Sequence, residues 1–219
     1  MIGLLARQGG KALLRAIVPP DFIAWSGPKP RGTPRGRVAL TFDDGPTELT
    51  RGYLSVLARY DVKATFFVVG ELCARYPELV DAIARAGHEL AGHGYTHRRF
   101  TELTRAELRG ELERTQALLP KCGRRRPFVR PPHGALSLRS SLECARAGFR
   151  LVLWSRDSGD WREKRASDVA RAFDTPPGAG DIVLCHDGQA WTLQALPAIL
   201  ENSRKAGHEL CTVGELLGA

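Results

Sequence analysis

One local junction occurs four times along the chain, and it limits the architecture more than any other feature. "LARYDVKATFFVVG" (57–70), "ARAGHELAGH" (84–93), "ARAGFRLVLW" (145–154) and "SRKAGHELCTV" (203–213) each close a basic or alanine-rich helix and enter an apolar strand. In three of them a glycine, Gly87, Gly148 or Gly207, stands where a helix commonly ends on a left-handed residue. The spacing predicts helices over 48–59, 76–86, 104–118, 137–147, 166–173 and 191–206. It predicts strands over 38–42, 64–69, 88–91, 127–129, 150–155, 181–185 and 209–212. Strand and helix in alternation from end to end imply a parallel sheet with crossover helices. About seven strands suit either a barrel or a doubly wound sheet, and no G-x-G-x-x-G follows the first strand to support a dinucleotide fold. Residues 18–36, rich in Pro and Gly, read as an irregular lead-in, so the chain divides into an extension over 1–35 and a folded domain over 36–219.

A barrel gathers its reactive groups at the C-terminal ends of its strands, and polar residues do collect there. The first strand runs into Asp43-Asp44, the third into His93 and His97, and the fourth into "RPPHG" with Arg130 and His133. The 150–155 run leads into "SRDSGDW" with Asp157, Asp160 and Trp161, and the 181–185 run, which holds Leu184, into His186 and Asp187. Four of the six histidines therefore follow strands. The i, i+4 spacing of His93 and His97 lets two imidazoles share a metal ion, and Asp43 or Asp44 could complete a two-histidine, one-carboxylate set with a position left for water. A cation would also explain why two adjacent carboxylates are tolerated at a strand end. The remaining aspartate could then serve as base, His186 as acid, and Arg130 could hold the base ionised. Each residue also has a plainer reading: Arg130 and Asp157 as a structural ion pair, His186 as a capped core histidine, Trp161 as packing.

The formal charge is +8, but the basic residues are scattered, with one tight cluster of Lys121 and Arg124 to Arg126, so no nucleic-acid partner is expected. Five widely spaced cysteines without a CxxC pair argue against a disulfide framework and for a reducing compartment. Cys185 precedes His186 directly, yet neighbouring strand residues face opposite ways, so it is read as core and not as a nucleophile. Arg7, Lys11 and Arg15 alternate with Leu and Ile in a short amphipathic helix. That helix either packs on the domain or makes peripheral contact with an anionic membrane surface. With no apolar stretch of membrane-spanning or signal-peptide length, the expectation is a cytoplasmic protein, with any membrane association through this helix on the cytoplasmic face.

Over residues 36–217 the chain resembles the polysaccharide deacetylases of the NodB-homology type, carbohydrate esterase family 4. "TFDDGP", "HGYTH", "RPPHG", "SRDSGDW" and "LCHDG" are similar to that family's five motifs, in order. The resemblance implies a distorted (β/α) barrel with fewer than eight strands and makes 36–219 the catalytic domain. It implies Asp43 as general base, Asp44, His93 and His97 as ligands of one divalent ion, Zn2+ or else Co2+ or Ni2+, and Arg130 as the group orienting Asp43. His186 would be the general acid, held by Asp160. The His133 backbone N–H would face the oxyanion, and Trp161 and Leu184 would shape the acetyl pocket. The implied reaction removes N-acetyl groups from amino sugars of a poly- or oligosaccharide. Two alternatives are an N-acetyl or N-formyl group on a lipid-linked or nucleotide-linked sugar, and a non-catalytic carbohydrate-binding domain. His133 stands where the family usually has an aromatic, and Gly92 where it usually has Asn.

Overall fold

The computed structural model describes residues 20–29, 36–121, 123 and 126–219. The expected N-terminal amphipathic helix, and Arg124 and Arg125 of the basic cluster, lie outside them. Among the described residues nine strands form one sheet: β1 (Ile23–Ala24), β2 (Arg37–Gly45), β3 (Thr65–Val68), β4 (Glu89–Gly92), β5 (Phe128–Val129), β6 (Arg150–Val152), β7 (Arg156–Asp157), β8 (Ile182–His186) and β9 (Glu209–Cys211). Their helices are α1 (Thr50–Arg59), α2 (Gly70–Arg75), α3 (Pro77–Arg85), α4 (Arg105–Ala117), α5 (Leu138–Arg146), α6 (Ala166–Arg171), α7 (Ala190–Lys205) and α8 (Val213–Leu217).

Every pairing is parallel, in the order β1-β6-β5-β4-β3-β2-β8-β7, with β9 also on β2. Ala39 pairs with Ile182 on one side and Cys211 on the other, so β9 takes the first half of the β2 edge that β3 takes further along. All seven expected runs are strands, and two expectations change. Inside the lead-in read as irregular, Ile23 and Ala24 pair with Leu151 and Val152. The run read as one strand over 150–155 ends at Val152, and a second short strand, Arg156–Asp157, follows beyond it, because the chain leaves β1 and β5 there and crosses to β8. Leu153 N–H still donates to Ala24 O, whereas Ser155 N–H donates to Ile182 O. That crossing brings the two ends of the sheet together, giving a distorted (β/α) barrel.

The alternation of the strands sorts their side chains. Val38, Leu40, Phe42, Phe66, Val68, Val183 and Cys185 form the core shared with α1 and α7. Ala39, Phe67, Ala91, Phe128, Val152 and Ile182 form a second, interior cluster. Thr41, Asp43 and His186 share parity with that interior set. Cys185 is fully buried on the other face, and burial raises its thiol well above the ordinary range, as expected for core and not for a nucleophile.

The helix ends follow the junction read from the sequence. Gly87, Gly148 and Gly207 have φ of 75°, 85° and 78°. In each case the glycine N–H bonds three residues back and the next N–H five residues back, as His88 N–H does to Ile83 O. The fourth junction is the same motif with Asp61 at the left-handed position, φ 48°, and Val62 N–H on Leu57 O.

Candidate active site

Adjacent strand residues ordinarily point apart, yet Asp43 and Asp44 meet the same histidine. The register explains it: Asp43 pairs with Phe67 and Gly45 with Val68, leaving Asp44 as the extra residue of a bulge, at φ 70°. His93 Nε2 thus lies 3.7 Å from Asp43 Oδ2 and 3.4 Å from Asp44 Oδ1. The turn is buttressed from β8. Asp187 N–H donates to Asp43 O at 2.7 Å, and the Asp187 carboxylate accepts from Thr47 and Thr50 hydroxyls. A Cβ on Gly45 would sit 2.5 Å from Asp187 Oδ2, so that position admits only glycine. Burial pushes Asp187 up to about 6, against the pull of the two threonines.

Asp44, His93 and His97 each offer a donor atom, all within 4.8 Å of one another. His97 Nε2 is 3.0 Å from Asp44 Oδ1. Donors at ~2.0–2.2 Å on a tetrahedral ion are spaced by roughly 3.4 Å, so the set fits a small divalent cation. His93 Nδ1–H donates to Arg130 O at 2.8 Å, which turns the Nε2 lone pair toward Asp44. Burial acts to raise Asp44, but hydrogen bonds from both histidines win and hold it far below the carboxylate range.

Arg130 is fully buried beneath this set. Its Nη1 donates to Asp43 Oδ1 at 2.6 Å and to Thr41 Oγ1 at 2.8 Å, while Nε and Nη2 each reach a β6-side carbonyl, of Val152 and Leu153, at 3.1 Å. The guanidinium also lies 3.9 Å from the Phe67 ring centroid. Burial lowers Arg130, and the Asp43 charge and hydrogen bond oppose it, so the guanidinium is compensated where it would otherwise be an isolated buried charge. Asp157, the other residue considered as a partner for Arg130, instead receives Gly159 N–H at 2.8 Å.

Across the site, His186 is paired with Asp43 in register. Its Nδ1–H donates to Asp160 Oδ1 at 2.6 Å and its backbone N–H to Asp160 Oδ2 at 2.8 Å, with Thr192 Oγ1 on that second oxygen. Burial lowers the imidazole, but the Asp160 hydrogen bond and charge, then Asp43 and Asp44, outweigh it and push it up to about 9. His133 has φ 57° and its ring centroid is 4.6 Å from that of His97; burial, then His97, lowers it. Leu184 is buried two residues before His186, whereas Trp161 is 53% exposed with Arg162 over its ring at 5.0 Å. At Gly92 a Cβ would meet only ordinary contacts, from 3.6 Å, so nothing in the packing demands glycine there.

Sequence reasoning missed two supports of this site, Glu111 on α4 and the whole of α2. Glu111 is buried on the stripe of Leu108, Leu112 and Thr115, and a carboxylate on an otherwise apolar stripe was the available signal.

A family model described as polysaccharide deacetylase matches residues 31–152. The chain is 34% identical over 191 residues to the peptidoglycan-N-acetylglucosamine deacetylase PgdA of Listeria monocytogenes, covering 86% of this chain and 40% of that protein. It thus spans about two fifths of that relative's length. A peptidoglycan-N-acetylglucosamine deacetylase of Bacillus cereus is 30% identical over 211 residues, 94% of this chain and 97% of that one. Among solved structures, the Bc1960 peptidoglycan N-acetylglucosamine deacetylase, complexed with 4-naphthalen-1-yl-N-oxidanyl-benzamide, superposes with a TM-score of 0.82 at 30% identity. It covers 90% of this chain and 93% of that one. The fold, the ordered motifs and these matches agree, and the chain belongs to the polysaccharide deacetylase family, the NodB-homology type of carbohydrate esterase family 4.

Proposed function

We propose that the chain is a divalent-metal-dependent hydrolase that removes N-acetyl groups from amino sugars of a poly- or oligosaccharide. Asp44, His93 and His97 would hold the ion, zinc by the mixed nitrogen and oxygen donor set, with Co2+ and Ni2+ able to replace it. When bound, such an ion lowers the pKa of water and polarises an amide carbonyl. Asp43 takes the proton of the attacking water. Arg130 pairs with Asp43 through Nη1 and orients its carboxylate toward the site. His186, held protonated by Asp160, gives its proton to the departing amine. The His133 backbone N–H donates toward the oxyanion, and Leu184 and Trp161 border the acetyl group.

The observation that carries this reading is the 2.6 Å Asp43–Arg130 contact, fully buried beside a three-donor cluster. A carbohydrate-binding domain has no use for a carboxylate paired with a buried guanidinium beside three metal-donor groups. The relatives' names make N-acetylglucosamine in peptidoglycan the first substrate to try. Acetate should be released from N-acetylglucosamine oligomers or peptidoglycan, stop on chelation, and return with added zinc. No release, or release that survives chelation, overturns the proposal.

A further inference from the structure

We infer that Glu111 is a positioning residue for the metal ligand His97, an inference that rests on the metal-dependent reading above. His97 has φ 59°, a left-handed backbone that is unfavourable for a residue with a side chain and persists where the surroundings impose it. The segment before it is gripped from both sides. Glu111 Oε2 accepts the backbone N–H groups of Tyr95 at 2.6 Å and Thr96 at 2.8 Å, and Oε1 accepts the Thr96 hydroxyl at 2.8 Å. On the carbonyl side, the first N–H groups of α2, from Gly70 and Glu71, donate to Gly94 O and Tyr95 O, both at 2.9 Å. Gly94 adopts φ 76°, and a Cβ there would come within 3.3 Å of Glu111 Oε2 and the Phe100 ring. One buried carboxylate therefore satisfies the N–H groups of the two residues that precede His97 and ties them to a rigid helix. Its bonds go to Tyr95 and Thr96, and the donor cluster is Asp44, His93 and His97, so it acts by fixing where His97 Nε2 sits relative to Asp44 and His93.

The choice of substitution separates positioning from mere stability. Glu111→Leu keeps bulk but leaves two backbone donors without an acceptor. Glu111→Gln can place its carbonyl on both N–H groups and its amide NH2 on the Thr96 hydroxyl, which then accepts. Thr96→Val removes one of the three bonds and leaves the buried carboxylate in place. Zinc affinity is measured by competition with a chromogenic chelator, alongside the melting temperature of the metal-free proteins. Wild type and Asp44→Asn serve as controls. Glu111→Leu should weaken zinc binding by about tenfold or more, Thr96→Val by less, and Glu111→Gln should stay within about threefold of wild type. If Glu111→Leu and Thr96→Val bind zinc as tightly as wild type, whatever their melting temperatures, Glu111 is only a stabilising residue and the inference fails. If wild type binds no zinc, the proposed function fails first and this inference with it. Should Glu111→Leu not fold, unchanged affinity in Thr96→Val alone overturns the inference.

Discussion

At the scale of single residues the site divides its labour through backbone geometry. The bulge at Asp44 and its φ of 70° send two neighbouring carboxylates to one place with different partners, a buried guanidinium for Asp43 and two imidazoles for Asp44. His186 stands apart from both and holds its proton through Asp160. An unfolded imidazole titrates near 6.5, so the folded group, raised to about 9, binds its proton more tightly than the unfolded chain does. Its contribution to stability is therefore complete below about pH 6.5 and is lost as pH rises through about 9. Asp160→Asn removes the charge and one of the two acceptor oxygens, so burial is opposed less and pulls His186 down. The alkaline limb of the kcat profile should then fall by about one pH unit or more, and an unmoved limb would exclude His186 as the acid. The motif residues are legible in the sequence because strand parity and strand ends announce them. The bulge is not, since "DDGP" signals a turn without saying which aspartate leaves the ladder. Glu111 is hidden because its partners lie in a loop whose path only the tertiary structure sets.

Among elements, the helix-to-strand junction carries most of the fold, and its three glycines make it plain in the sequence. Its fourth copy is only half visible there, because Asp61 does in the left-handed region what glycine does elsewhere. The two cases make opposite predictions. Gly148 has φ 85°, and a Cβ added there would meet nothing within 4 Å, so Gly148→Ala incurs only backbone strain. It should cost about 1 kcal/mol and lower Tm by roughly 2–4 °C in thermal unfolding. Asp61→Gly relieves strain at an exposed site and should raise Tm by up to a similar amount. Two of the short strands escape sequence reading for a different reason. Ile23–Ala24 and Arg156–Asp157 have two residues each, too few for any alternation, and exist because β6 and β8 offer them edges. Helix α2, six residues long and separated from β3 by Val69 alone, is likewise masked by an apolar run that continues through Val69.

For the whole molecule, the three-donor cluster proposed to hold the ion joins elements distant in the chain: β2 supplies Asp44, while His93 and His97 follow β4. An ion bound by folded chain alone should stabilise the entire barrel. Zinc at about 100 times its Kd would add ~2.7 kcal/mol, which for a domain of this size is a rise in Tm of roughly 5–10 °C. A chelator should reverse the rise, and Asp44→Asn should abolish it; a melting curve indifferent to zinc would contradict the site. Among the described residues no helix is long and apolar enough to cross a membrane. The central claim is that Asp43 and Asp44 have separate tasks, and zinc content measured together with acetate release in Asp43→Asn tests it most directly. Asp43→Asn should retain zinc at the wild-type ratio and release acetate about a thousandfold or more slowly. Release within about tenfold of wild type, or zinc lost along with activity, would contradict it.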